Sequence, residues 1–341
     1  MFSRAGRRAG KRYTAAPVQR TDEQPALLPL FDAVFARPDD DGPRQVLADA
    51  LLERGDARGE FISLQLLEER GVATAAQRTR AANLLKHHVR RWLIEVPGLV
   101  MTSLEFRRGF LRAATLEPTG LGAQSPLWRS VESLHLRPTE NPATELEAPA
   151  LTALATLTGL DGEALGLVVR GPDKPKLREV QVNGPALEDA RLSRQQQHVL
   201  ELARFKTLEV LTLSPRPWRH HADRLAWLFE APLLRQLARL RLQAEPPWDV
   251  FGLHGLLMEH RLPRLRLEPF TSGLALSFDR ERLTVRFDDA RSFDRHAQTV
   301  RNLAPRFAPA PFSRFAVQIA DRQATRAELE RLGEVCQRHA G

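Results

Sequence analysis

Apolar residues recur every three or four positions from Pro25 to about Pro97, the spacing of one face of a helix. Leu27, Leu28, Leu30, Phe31, Val34 and Phe35 form the first such face, which ends before Pro38 because the residue preceding a proline is pushed out of the helical region. Asp39-Asp40-Asp41-Gly42-Pro43 reads as a new helix start, with an Asp cap and a proline in the first turn. Val46, Leu47, Ala50 and Leu51 continue that helix inward, and Gly55 stops it. Asp56 caps the next, which carries Phe61, Ile62, Leu64, Leu66 and Leu67 as far as Gly71. A longer helix is predicted from about Thr74 to Glu95, with Leu84, Leu85, Val89, Trp92 and Leu93 on its apolar side.

At Pro97-Gly98 the period changes to short alternating runs that stop at Pro or Gly, the mark of short strands. The runs also resemble one another. Ala114-Thr115-Leu116-Glu117-Pro118, Leu134-His135-Leu136-Arg137-Pro138, Leu211-Thr212-Leu213-Ser214-Pro215 and Leu265-Arg266-Leu267-Glu268-Pro269 share apolar-x-Leu-x-Pro. Val180-Gln181-Val182-Asn183-Gly184-Pro185 and Leu240-Arg241-Leu242-Gln243 are looser copies. A further apolar residue three positions earlier (Leu111, Val131, Leu177, Leu208, Leu237, Leu262) restores the L-x-x-L-x-L core of a leucine-rich repeat. Steps between the central residues 180, 211, 240, 265 and Val285 fall in or near the period of about 20–29 residues known for such repeats. The gap between Leu134 and Val180 leaves room for one more repeat, expected around Leu165 to Val169. Phe312, Phe315, Val317 and Ile319 suggest a last strand, and Arg326 to His339 a closing helix.

The expected fold is therefore α+β: a small N-terminal helical module followed by an irregular leucine-rich-repeat-like α/β solenoid. Its parts are a basic arm (1–24), the helical module (25–97), the array (98–325) and a C-terminal capping helix (326–341).

Charge sharpens the picture. The chain of 341 residues carries a net +8, but Arg4, Arg7, Arg8, Lys11, Arg12 and Arg20 supply six of those charges within residues 1–20, which hold no acidic residue. A remainder so near neutrality has no general electrostatic reason to hold a polyanion. The arm resembles a transit peptide in composition, but a solvated, disordered tail is the preferred reading. No run approaches the roughly 18 apolar residues of a membrane-spanning helix, and no apolar stretch follows the basic start as in a secretory signal. The lone cysteine, Cys336, has no partner for an internal disulfide, which fits a reducing compartment.

Pro38-Asp39-Asp40-Asp41-Gly42-Pro43-Arg44, Leu47-Ala48-Asp49 and the run Glu53 to Gln65 together resemble a bacterial family called the repeat-companion domain, over about residues 26–70. Leu104-Glu105-Phe106-Arg107-Arg108-Gly109-Phe110 is similar to the segment that commonly opens the repeats following that domain. The resemblance implies a bacterial, cytoplasmic setting and no established catalytic activity.

Candidate chemistry is sparse. Asp39–Asp41 lacks the offsets of a metal loop and reads as helix capping. Glu53 to Glu60 is either a polar recognition edge or a helix junction held by caps and ion pairs. His87-His88 and His220-His221 are adjacent pairs, whose side chains diverge on a helix and do not share one metal. Cys336 and His339 lie three apart on the closing helix, with no third group to orient them. Gly6 to Lys11 is one residue short of a phosphate loop. No catalytic residue, cofactor or metal site is expected.

The repeat geometry yields the main expectation. The residue between two core positions of a strand points outward. Stacked repeats would then place His135, Gln181, Thr212, Arg241, Arg266 and Arg286 in one row on the concave face, with Arg239 and Arg264 in a neighbouring row. Two readings compete: a surface for carboxylates or phosphates, and arginines solvated or paired with neighbours such as Glu268 and Asp288. Trp218 and Trp248, after two of the strands, are either exposed binding aromatics or loop plugs. The expected function is a non-enzymatic interaction scaffold holding a protein partner, one with an acidic surface. Nucleic-acid binding through the arm and the arginines is the alternative.

Overall fold

The computed structural model describes residues 26–121, 124–184, 193–214, 222–303, 312–334 and 336. The basic arm, Trp218, His220-His221 and His339 lie outside that set. The chain divides into two compact units, residues 1–89 and 90–341.

The described part of the first unit is helical: α1 (Leu28–Ala36), α2 (Asp41–Glu53), α3 (Ala57–Glu69) and the start of α4 (Ala75–Trp92). Its helix ends form as their sequence dictates. The Asp40 carboxylate accepts from the backbone N–H of Gly42, and Asp56 does the same for Arg58. Gly55, between α2 and α3, has φ +69°. The α2–α3 contact is set by Gly59, where an added Cβ would lie 2.5 Å from the Ala48 carbonyl oxygen, so only glycine allows this approach. Phe31, Val34, Leu47, Leu51, Phe61, Ile62 and Leu66 form the core. Val46 departs from expectation: it is 55% exposed, and Ala48 takes the inward position. The Glu53 to Glu60 run is a helix junction, with Glu60 gripped at both oxygens by Arg80 (2.8 and 2.7 Å).

The second unit contains an open sheet of 12 strands whose spatial order is their chain order. β1 (Glu105–Arg107) and β2 (Phe110–Leu116) form a hairpin through Arg108 and Gly109, both at positive φ. From β2 the strands run parallel: β3 (Ser133–Leu136), β4 (Thr156–Leu160), β5 (Glu179–Asn183), β6 (Val210–Ser214), β7 (Arg239–Gln243) and β8 (Arg266–Thr271). β9 (Leu274–Phe278) turns back antiparallel between β8 and β10 (Arg282–Phe287). β11 (Arg314–Ile319) pairs parallel with β10, and two-residue β12 (Arg322–Gln323) ends the sheet.

Parallel neighbours need a crossover, and helices supply most of them. α5 (Gly162–Arg170), α6 (Arg194–Glu201), α7 (Ala226–Phe229) with α8 (Leu233–Gln236), α9 (Val250–Glu259) and α10 (Ala290–Leu303) bridge successive strands. β2, β3 and β4 are joined instead by segments with single 3-10 turns. One row of partners runs across the parallel region: Ala114, Leu134, Leu157, Val180, Leu211, Leu240 and Leu267, all buried. At the far end, Phe287 packs edge-on against Phe293 of α10, and His254 of α9 sits against Phe312 with its Nε2 bonded to the Arg280 carbonyl.

Two expectations are corrected. The gap between Leu134 and Val180 does hold one more strand, but it is β4, and Leu165 to Val169 lies within α5. The strand was hidden because Gly159 (φ +80°) replaces the second apolar position. A Cβ there would meet the Leu136 carbonyl oxygen at 2.2 Å, and the register shifts at this point. Leu267, not Leu265, stands opposite Leu240; a two-residue slip leaves every side chain on its own face, so alternation alone does not reveal it. The closing helix begins as α11, Arg326–Leu332, capped by Thr325 and Glu328 acting reciprocally and broken at Gly333 (φ +96°); Glu334 and Cys336 are again helical, and the rest of the expected helix lies outside the described residues.

The position of β4 generates a test. Leu157 is fully buried in the central row, so Leu157→Ala lowers the unfolding free energy in urea by about 2–5 kcal/mol. Outward-facing Thr158→Ala costs under about 1 kcal/mol, and equal effects at the two positions would contradict the strand.

Candidate partner-binding face

Alternation puts the residues between the buried positions on the opposite face of the sheet. Strand pairing sorts them into three lines. The first holds Thr115, His135 and Thr158, then Gln181, Thr212, Arg241 and Glu268. The second, nearer the strand starts, holds Ser133, Thr156, Glu179, Val210, Arg239 and Arg266. The third includes Gln243, Phe270, Ala275, Arg286 and Gln318.

This redistributes the expected site. His135, Gln181, Thr212 and Arg241 do share the face, but the line continues to Glu268. Arg266 stands opposite Arg239 instead, because of the two-residue slip of β8. Arg286 falls two positions further along its strand, opposite Ala275 and Gln318. Arg264 precedes β8, exposed and outside the strand, so it does not form a line with Arg239.

Glu268 is the centre of the face's electrostatics. It is 4% exposed, 3.5 Å from the Nε of both Arg239 and Arg241, and accepts a 3.1 Å hydrogen bond from Ser277. Arg241 also stacks on Phe270, 4.6 Å from the ring centroid. A buried carboxylate needs such partners; Arg241, held also by Phe270, is thereby committed to the fold, whereas the Arg239 side chain stays 44% exposed. No ion pair joins Asp288 to Arg286. The side chains of Arg264, Arg266, Arg282, Arg286 and Arg314 make no hydrogen bond or ion pair among the described residues. Both readings of the arginines therefore apply, each to a different subset.

A polar ladder fills the middle of the face. His135 Nδ1 meets Thr158 Oγ1 at 2.9 Å, Gln181 donates to Ser214, and Ser214 donates to Gln243 at 2.7 Å. Thr212 is 3% exposed, and its hydroxyl has no hydrogen-bond partner. Its long neighbours Gln181 and Arg241 flank it, making a shallow dip rather than a contact point.

Sequence reading missed Thr158, Arg282 and Arg314. Glu268 was named as a partner of the arginines, but not as a member of the first line. Arg282 and Arg314 each precede the first apolar residue of a strand, as Arg239 precedes Leu240, so a signal existed.

Other candidate chemistry takes structural roles. Trp248 is a plug, 3% exposed and donating to the Ala244 carbonyl. Cys336 is buried, and that burial pushes its thiol up to about 11, away from nucleophilic character. Lys174 is buried too, bonded to the Pro172 carbonyl, and desolvation brings it down to about 8. Among the described residues no three His, Cys, Asp or Glu side chains gather closely enough for a metal ion. Among them, too, no helix is long and apolar enough to cross a membrane. Comparison of the chain with protein-family models, with curated proteins and with solved structures gave no match.

Two measurements follow. At pH 8, Cys336 of the folded protein reacts with a thiol reagent at least about 100-fold more slowly than a free cysteine, and the difference vanishes in urea. Because Lys174 binds its proton less tightly when folded, the unfolded chain holds more protons between about pH 8 and 10.5. The Lys174 contribution to stability therefore rises with pH across that window, opposed above about pH 9 by the raised thiol of Cys336. Lys174→Met removes the rise; a rise of unchanged size in that variant would show that another group is responsible.

Proposed function

We propose that this chain is a non-enzymatic protein–protein interaction scaffold. In this reading the helical module is a repeat-companion domain, and the rest is an irregular leucine-rich-repeat-like solenoid whose concave sheet face holds a protein partner with an acidic surface. A bacterial, cytoplasmic setting goes with it. The observation that carries the reading is the parallel pairing of β2 to β8 in chain order. It turns side chains from distant parts of the sequence into continuous outward lines, the usual way repeat proteins build a binding surface. The unpaired Arg264, Arg266 and Arg286 give that surface free positive charge at one end, suited to carboxylates.

The same free arginines favour a second reading, nucleic-acid binding together with the basic arm. Salt separates the two. A polyanion contact that releases several counterions loses about 10³–10⁵ in affinity between 50 and 200 mM salt, whereas a protein interface is far less sensitive.

The test is affinity capture from the host with the full chain and with Arg264→Glu/Arg266→Glu/Arg286→Glu. The triple variant loses the captured partner, while Arg194→Glu/Arg235→Glu/Arg295→Glu, altered on helices, retains it. Identical partners with all three proteins would place the contact elsewhere.

A further inference from the structure

We propose that Arg239, Arg266, Arg282 and Arg314 form a carboxylate-binding row that holds an extended acidic segment of the partner protein across strands β7 to β11. The inference rests on the reading of the outward sheet face as an interaction surface, and adds where on it the partner lies and by what chemistry.

Register brings the four together. Arg239 stands directly opposite Arg266, and Arg282 directly opposite Arg314. Each immediately precedes a residue of one continuous line: Leu240, Leu267, Leu283 and Phe315, with Phe278 of β9 between the two pairs. All four arginines are exposed. Like charges directly opposite on one face of a sheet are destabilising, so each pair stores repulsion. At the β1–β3 end of the sheet arginine is matched by carboxylates. Arg112 bonds Glu105 at 2.8 Å and Glu132 at 2.9 Å, and Arg137 bonds Glu117 at 2.9 Å. In the row, Arg239 alone has a counter-ion, the shared Glu268 at 3.5 Å. A carboxylate placed between the members of each pair supplies the missing charge and accepts from two guanidiniums at once.

Spacing indicates the form of the occupant. Strands lie about 4.8 Å apart, so the midpoints of the two pairs are three strand spacings, or about 14 Å, from each other. An extended chain advances about 3.3–3.6 Å per residue, which sets carboxylates four residues apart. An even separation keeps both on one side of an extended peptide. Midway between the pairs, just after β9, comes Asp279, whose carboxylate accepts from the backbone N–H groups of Glu281 and Arg282. This fixed negative charge would face residue i+2 of the peptide, where a neutral side chain suffices. A nucleic acid carries a charge at every nucleotide and would bring a phosphate against Asp279.

The experiment is fluorescence anisotropy on the full chain with a labelled Ser/Thr peptide bearing glutamates at i and i+4. Its glutamine counterpart and single-stranded oligothymidylate serve as comparison probes. The glutamate peptide binds, and the glutamine peptide binds at least tenfold more weakly. Arg282→Glu/Arg314→Glu reduces the glutamate affinity at least tenfold, and Arg194→Glu/Arg295→Glu changes it by less than twofold. A fold-only readout accompanies it: Arg314→Thr removes one repulsive pair and raises the thermal midpoint by about 1–3 °C. No glutamate binding, equal losses in both double variants, or a fall in thermal midpoint would each overturn the row. Oligothymidylate binding more tightly and being lost in the same variant would assign it to nucleic acid instead. If the peptide fails while Arg286→Glu still abolishes partner capture, the face stands and the row falls.

Discussion

Everything on the outward face depends on the buried ladder beneath it. Ala114, Leu134, Leu157, Val180, Leu211, Leu240 and Leu267 meet in register from strand to strand, each 5% exposed or less. Full burial of one Leu or Val side chain is worth about 1.5–3 kcal/mol, and a one-residue slip would turn all of a strand's apolar residues to water. That penalty fixes which residues project outward. The crossovers differ widely in length, yet the ladder holds, because the constraint acts across the sheet and not along the chain.

A second constraint governs charge. The sheet neutralises its outward arginines by cross-strand carboxylates at the β1–β3 end, and by a single buried acid, Glu268, at β7–β8. Beyond β8 it stops doing so. A small network thus fixes Arg241 between Glu268 and Phe270, while Arg266, Arg282, Arg286 and Arg314 project without local partners. The contrast matters because unpaired arginine is inexpensive in water singly but not in opposed pairs. The face therefore has a rigid polar middle and an electrostatically unfinished end.

Much of this was legible in the sequence. Helix caps at Asp40 and Asp56 are local features, set by side chains two residues from the groups they satisfy, and they appear where the pattern puts them. The apolar-x-apolar strands at Leu134, Val180, Leu211 and Leu240 are likewise local, and their burial follows. What was not legible is register. Leu265 and Leu267 are equally apolar and lie on the same face, so alternation does not say which of them meets Leu240. From that slip came the misplacement of Arg266; Glu268 was foreseen as a partner of arginines, but not as a member of the first line. β4 escaped notice because Gly159 interrupts its pattern, and the glycine is required by backbone proximity to Leu136, a tertiary fact.

Oxidative cross-linking of engineered cysteine pairs reads the register directly. Neighbouring Cα atoms across adjacent strands lie within the roughly 4.4–6.8 Å that a disulfide spans, and a two-residue offset does not. In the register described, Arg239→Cys with Arg266→Cys cross-links readily, and Arg241→Cys with Arg266→Cys does not. Efficient cross-linking of the second pair alone would contradict the alignment of β7 with β8 and, with it, the outward lines on which the proposed partner face is built.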